Sequence, residues 1–91
     1  MGGLVLGAKA GDVFDVGEHW IAVLKFDSTR TALMIDDRGD KFSISSTYET
    51  QIGPEVWLQF IPSTSRAGRR LRFIAPKNVA VRRRPFTDTG A

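Results

Sequence analysis

The sequence has no cysteine, a single histidine and no long apolar run. Without Cys there is no disulfide framework and no thiolate chemistry, which fits a reducing compartment. A cytoplasmic location is therefore expected. His19 opens a run of strand-forming residues and has no partners at metal-ligand spacing, so neither metal nor cofactor is expected. No apolar stretch approaches the roughly 20 residues of a membrane span, and no membrane association is expected. The start, MGGLVLGAKAGD, lacks the charged opening and apolar core of a signal peptide. Leu6 stands where a myristoylation motif needs Ser or Thr. There is no Gly-rich phosphate loop and no Ser nucleophile motif, and the paired carboxylates fall in turns. The chain is expected not to be an enzyme and to have no catalytic residues.

Acid is also missing, over one long stretch. No Asp or Glu lies between Glu55 and Asp88. Within that stretch, Arg66 to Arg84 holds seven arginines and Lys77, out of 13 Lys and Arg in the chain. The first 61 residues carry five basic and nine acidic groups, and the remainder eight basic and one acidic. The net charge of +3 thus conceals a polarised molecule, with an acidic first two-thirds and a basic end. Such asymmetry points to a polyanionic partner.

What is present reads as all-β. Short runs of Val, Ile, Phe and Trp are bounded by Gly, Asp, Ser and Pro, and no window has a helical period. Strands are predicted at 4–6, 13–16, 19–25, 31–35, 41–45, 56–61, 69–74 and 79–83. Turns are predicted at 10–12, 16–18, 27–30, 36–40, 52–54 and 62–68. Ninety-one residues suit one domain, expected over 1–86 with 87–91 as a flexible tail. Two stretches, 19–35 and 55–74, share the order apolar strand, polar turn, apolar strand. Trp20 and Trp57 stand near their starts, each close behind a glycine and an acid. Their spacing of 37 residues is a weak sign of duplication.

Two segments carry a resemblance. Leu4-Val5-Leu6, Lys9, Gly11-Asp12 and Val16-Gly17 resemble the opening of the carbon storage regulator (Rsm-type) family of RNA-binding translational repressors. The run Ala75-Pro76-Lys77-Asn78-Val79-Ala80-Val81-Arg82-Arg83-Arg84 resembles that family's closing strand. The resemblance covers about 24 residues. An ordinary member places one hairpin between the two signatures; this chain places two hairpins and a strand. The fold implied is a small intertwined antiparallel β-sandwich or barrel. Two arrangements are open. In the favoured one, halves at about 4–46 and 42–84 share the strand around Phe42–Ser45 and form a monomeric, single-chain pseudo-dimer. In the other, residues 4–17 and 55–84 form one unit with an inserted hairpin, and the chain dimerises.

The resemblance implies a function as a post-transcriptional regulator of bacterial or phage type, binding a GGA-containing single-stranded loop in mRNA or small RNA. It implies a site where the first strand lies beside the last strand of the partner unit. Carried over, Leu6 and Lys9 come from the first, and Val79, Val81, Arg82 and Arg83 from the last. Arg83 occupies the position that matters most for RNA. Ala8 departs from the family, which has a basic residue there. Arg82 and Arg84 replace a histidine and an acid. Read from alternation alone, Val79, Val81 and Arg83 share one face, Arg82 and Arg84 the other, and Arg70 and Arg72 project together from a neighbouring strand. If the halves are equivalent, the second site would use 41–45, where Asp36, Asp37 and Asp40 are near and no arginine matches Arg83, so one working site is expected. The alternative to RNA is a protein-interaction module whose basic face takes an acidic protein. Trp20, Trp57, Phe14, Phe42, Phe60 and Phe73 are expected in the core.

Overall fold

The structure is a computed structural model that describes residues 3–62 and 69–84. Among these residues are nine strands: β1 (Leu4–Gly7), β2 (Val13–Val16), β3 (His19–Phe26), β4 (Thr31–Asp36), β5 (Lys41–Ser45), β6 (Thr50–Gly53), β7 (Val56–Ile61), β8 (Arg70–Ile74) and β9 (Val81–Arg83). They form two antiparallel sheets, ordered β1-β8-β7-β6 and β5-β4-β3-β2-β9. Among the described residues no helix is long and apolar enough to cross a membrane.

Period-2 patterning produces the core. On β7, Val56, Leu58 and Phe60 are buried, while Trp57, Gln59 and Ile61 face outward. On β8, Leu71 and Phe73 are buried between Arg70, Arg72 and Ile74. Phe14 of β2, Ala32 and Met34 of β4 and Ile44 of β5 close on them from the other sheet, so both sheets share one apolar cluster. Phe14 and Phe73 meet across it at 5.4 Å between ring centroids. Strict alternation would turn Phe26 outward. A bulge between Val23 and Lys25 leaves Leu24 without a partner and restores Phe26 to the inner face, where it stacks on Phe60 at 5.7 Å.

Two strands pair outside their own half of the sequence. β1 leaves the first half to pair with β8 (Leu4↔Phe73 to Gly7↔Arg70). β9 leaves the second half to pair with β2 (Phe14↔Arg83, Asp15↔Arg82, Val16↔Val81). The strand between the halves, β5, pairs with β4.

Several expectations change. Thr50–Gly53, partly read as a turn, is the edge strand β6; its polar composition hid it, and β7 supplies its ladder partner. The β6–β7 turn holds Glu55 at φ 60, where the corresponding β2–β3 turn has Gly17 at φ 62. Val79 is not in the last strand, because its N–H closes a turn onto the Pro76 carbonyl at 3.0 Å. Neither tryptophan lies in the core. Trp57 is 36% exposed, and Trp20 is half-buried on the outer side of its sheet. Phe42 is only partly buried against the core. Expectations for Ser63 to Gly68, Arg66 among them, and for the tail from Pro85 lie outside the described residues.

A core shared by both sheets makes them unfold together. Phe60→Ala is expected to cost about 3–5 kcal/mol, with one denaturant transition followed alike by tryptophan emission and circular dichroism. Two separated transitions would contradict the shared core.

Candidate nucleic-acid interface

β1 and β9 are outer strands of different sheets, and they come together along one seam of the sandwich. They form no ladder with each other. A hydrogen bond bridges them: the Arg83 guanidinium Nη1 donates to the Gly7 carbonyl at 2.7 Å. A methyl group at Gly7 would lie 3.7 Å from that nitrogen, so the guanidinium rests close over the β1 backbone. Arg83 can reach because its register partner is the buried Phe14. Its side chain leaves the inner face of β9 at the strand's end and crosses to the other sheet.

The sequence-predicted residues distribute around this seam unevenly. Leu6 lies on the inner side of β1 opposite Leu71 and packs against the core. Lys9 is exposed just beyond β1, its N–H bonded to the Asp12 carboxylate at 2.9 Å. Val81 packs against the core from β9, and Val79 does so from the turn before it. Both anchor the strand. Arg82 is exposed on the outer face opposite Asp15. Arg84 is held by Asp15, through Nη2 at 2.6 Å and a longer contact from Nε at 3.5 Å. Its N–H also extends the pairing by bonding the Val13 carbonyl at 2.7 Å. Arg70 stands opposite Gly7 on β8, one strand from the Arg83 contact. Arg72 donates to Glu49 at 3.0 Å. The predicted cations are thus of two kinds. Arg82, Arg83, Lys9 and Arg70 border the seam, while Arg72 and Arg84 are engaged by carboxylates. Arg69 lies over the Phe26 ring at 4.6 Å.

Ala8 is buried, and its N–H bonds the Arg69 carbonyl at 2.9 Å. A long basic side chain there would have to leave the core, which gives a physical reason for the small residue. Asp15, Glu49 and Gly7 are the partners that sequence reading missed. Asp15 was detectable as the one acid on β2; Gly7 acts through its carbonyl and carries no side-chain signal.

A cleft of about 610 Å³ opens at the opposite end of β9, bordered by Val79, Trp20, Ile52 and Pro54. Glu18, Asp36, Asp37 and Glu55 also line it, giving it the opposite charge to the seam. The turn acids are tied into local structure: Asp36 accepts from the N–H groups of Arg38 and Asp40, and Asp37 binds His19 Nδ1 at 2.8 Å. That hydrogen bond holds the Asp37 carboxyl below its ordinary range. Among the described residues no cluster of three or more His, Asp or Glu side chains could hold a metal ion.

No protein-family model matches the chain, and comparisons with curated proteins and with solved structures gave no match.

The Arg84 hydrogen bond, aided by the charges of Arg84 and Arg82, holds the Asp15 carboxyl below its ordinary value of 3.8, against a smaller opposing effect of burial. A depressed carboxylate stabilises the fold above its unfolded-state pKa, and that contribution disappears as pH falls through the folded-state value. Wild type should therefore lose stability more steeply than Asp15→Asn as pH drops below 3.8. Equal slopes in urea midpoint against pH would contradict the pairing.

Proposed function

We propose that the chain binds single-stranded RNA along the β1/β9 seam and acts as a post-transcriptional regulator, with a GGA-containing loop as its target. One observation carries the reading. Residues some 76 positions apart in the chain, Gly7 and Arg83, are joined at 2.7 Å, so that the two segments that resemble the carbon storage regulator family meet at one place. Strand edges there offer backbone donors and acceptors to exposed base edges. Arg82, Lys9 and Arg70 border the same seam and supply charge for phosphates. Arg83 also has the planar fork suited to a guanine edge or a phosphate.

The single-chain pseudo-dimer is the architecture we favour. The exchange of β1 and β9 between sheets is what a fused pair of interlocked units requires. In that reading β1 corresponds to β5, since each flanks a hairpin strand of the opposite half. No strand equivalent to β9 pairs with β6 among the described residues. The second seam therefore lacks an arginine strand, and one working site follows.

Arg83→Ala is expected to weaken binding to a GGA-loop hairpin by about 1–3 kcal/mol if the guanidinium reads a base. A scrambled-loop hairpin should bind weakly to both proteins. Gel shift at roughly 0.15 M salt tests this. Equal, weak binding of both loops would sink the specific-RNA reading and favour an acidic protein partner. Sizing should return the mass of one chain; a stable doubled mass would contradict the pseudo-dimer.

A further inference from the structure

The two tryptophans hold corresponding places, near the starts of β3 and β7 and on the outer faces of the two sheets, but their surroundings differ in sign. Trp20 pairs with Asp15 and borders the cleft that contains Glu18, Asp36 and Asp37. Trp57 pairs with Ile74, and the next outward residue along β8 is Arg72, followed by Arg70. On β1, exposed Val5 stands opposite Arg72 on the same face. The outer face of this sheet therefore carries an exposed indole, aliphatic side chains around it and two guanidinium groups. This face is continuous with the seam, because Gly7 pairs with Arg70.

An exposed indole beside arginines is the arrangement that takes stacked bases and their phosphates without regard to sequence. We propose that this face, with Trp57 as stacking platform and Arg70 and Arg72 as phosphate contacts, binds single-stranded RNA flanking the loop held at the seam. The proposal rests on the seam reading for the origin of the RNA and extends its footprint across the sheet. The path is short. From Arg70 to Ile74 the strand rises about 13 Å, and two strand spacings across give about 10 Å. Charge selects the occupant: a polyanion suits this face and not the acidic surroundings of Trp20.

Two contacts shape the platform. The Arg72 stem lies so close over Gly3 that a methyl group there would fall 2.7 Å from its Cγ. Its Nη2 is held by Glu49, which an incoming phosphate must displace. Glu49→Gln is accordingly expected to strengthen binding of flanked RNA.

The test uses the full chain with Trp20→Phe, leaving Trp57 as the one indole. The probes are a GGA-loop hairpin with single-stranded tails, the same hairpin blunt-ended, and a tailed hairpin with a scrambled loop. Tailed RNA should quench Trp57 emission and blunt RNA should not. Trp57→Ala should weaken binding of the tailed hairpin roughly tenfold and leave the blunt one unchanged, while Trp57→Phe, which keeps an aromatic face, should restore most of the loss. Absence of quenching, or equal loss on tailed and blunt RNA, would overturn the proposal. So would an emission change with protein concentration alone and a doubled mass, which would make the face a contact between copies. Quenching by both tailed RNAs without preference for GGA would support the platform while removing the seam reading. Selective, Arg83-dependent binding unaffected by Trp57→Ala would do the reverse.

Discussion

The molecule depends on its two strand crossings. β1 belongs by sequence to one half and by hydrogen bonding to the other, and β9 reverses that relation. Neither sheet has its full set of strands without a contribution from the other half. The crossings also create the seam, since each crossing strand ends up at the edge of its adopted sheet and the two edges are neighbours. The Arg83–Gly7 bond fastens that seam from above. A charged donor on a backbone carbonyl is stronger than a neutral pair. Here it also fixes where a guanidinium stands relative to an exposed strand.

Charge is sorted by the same geometry. The described part of the basic end runs through β8, β9 and the turn between them, so Arg70, Arg82 and Arg83 surround the seam and Arg70 and Arg72 lie on the outer face of one sheet. Glu18, Asp36 and Asp37 of the first half line the cleft at the far end of β9, whereas Asp12 and Asp15 stand beside Lys9 and Arg84. Ion pairs within each sheet then decide which cations remain exposed to a partner. Asp15 holds Arg84 and Glu49 holds Arg72, whereas Arg82 stays exposed on its strand. A charge run that looks uniform in sequence becomes a graded surface.

Much of the strand pattern was legible because burial on one face imposes alternation. β2, β5 and β7 have the bounds that patterning predicts, and β8 differs by one residue. β6 was not legible, since Thr50-Gln51-Ile52-Gly53 has little apolar content and its strand state comes from pairing with β7. Phe26 needed a bulge that no local rule announces. Strand partners were beyond local reading, because the pattern Arg70-Leu71-Arg72-Phe73 says which side faces inward and nothing about which edge β1 will choose. In the site, the arginines were legible and their partners were not. Trp57 was misassigned to the core although it stands between Val56 and Leu58; taking the period of two at its word turns the indole outward, onto the face that also carries Arg72.

The central claim is that the β1/β9 seam receives RNA. Amide chemical-shift mapping of the labelled protein during titration with a GGA-loop hairpin tests it most directly. The account predicts the largest changes at Leu6, Gly7, Lys9 and Val81 to Arg84, with saturation at one RNA per chain. Changes centred instead on the cleft around Trp20 and Asp37, or no changes at the seam at saturating RNA, would contradict it.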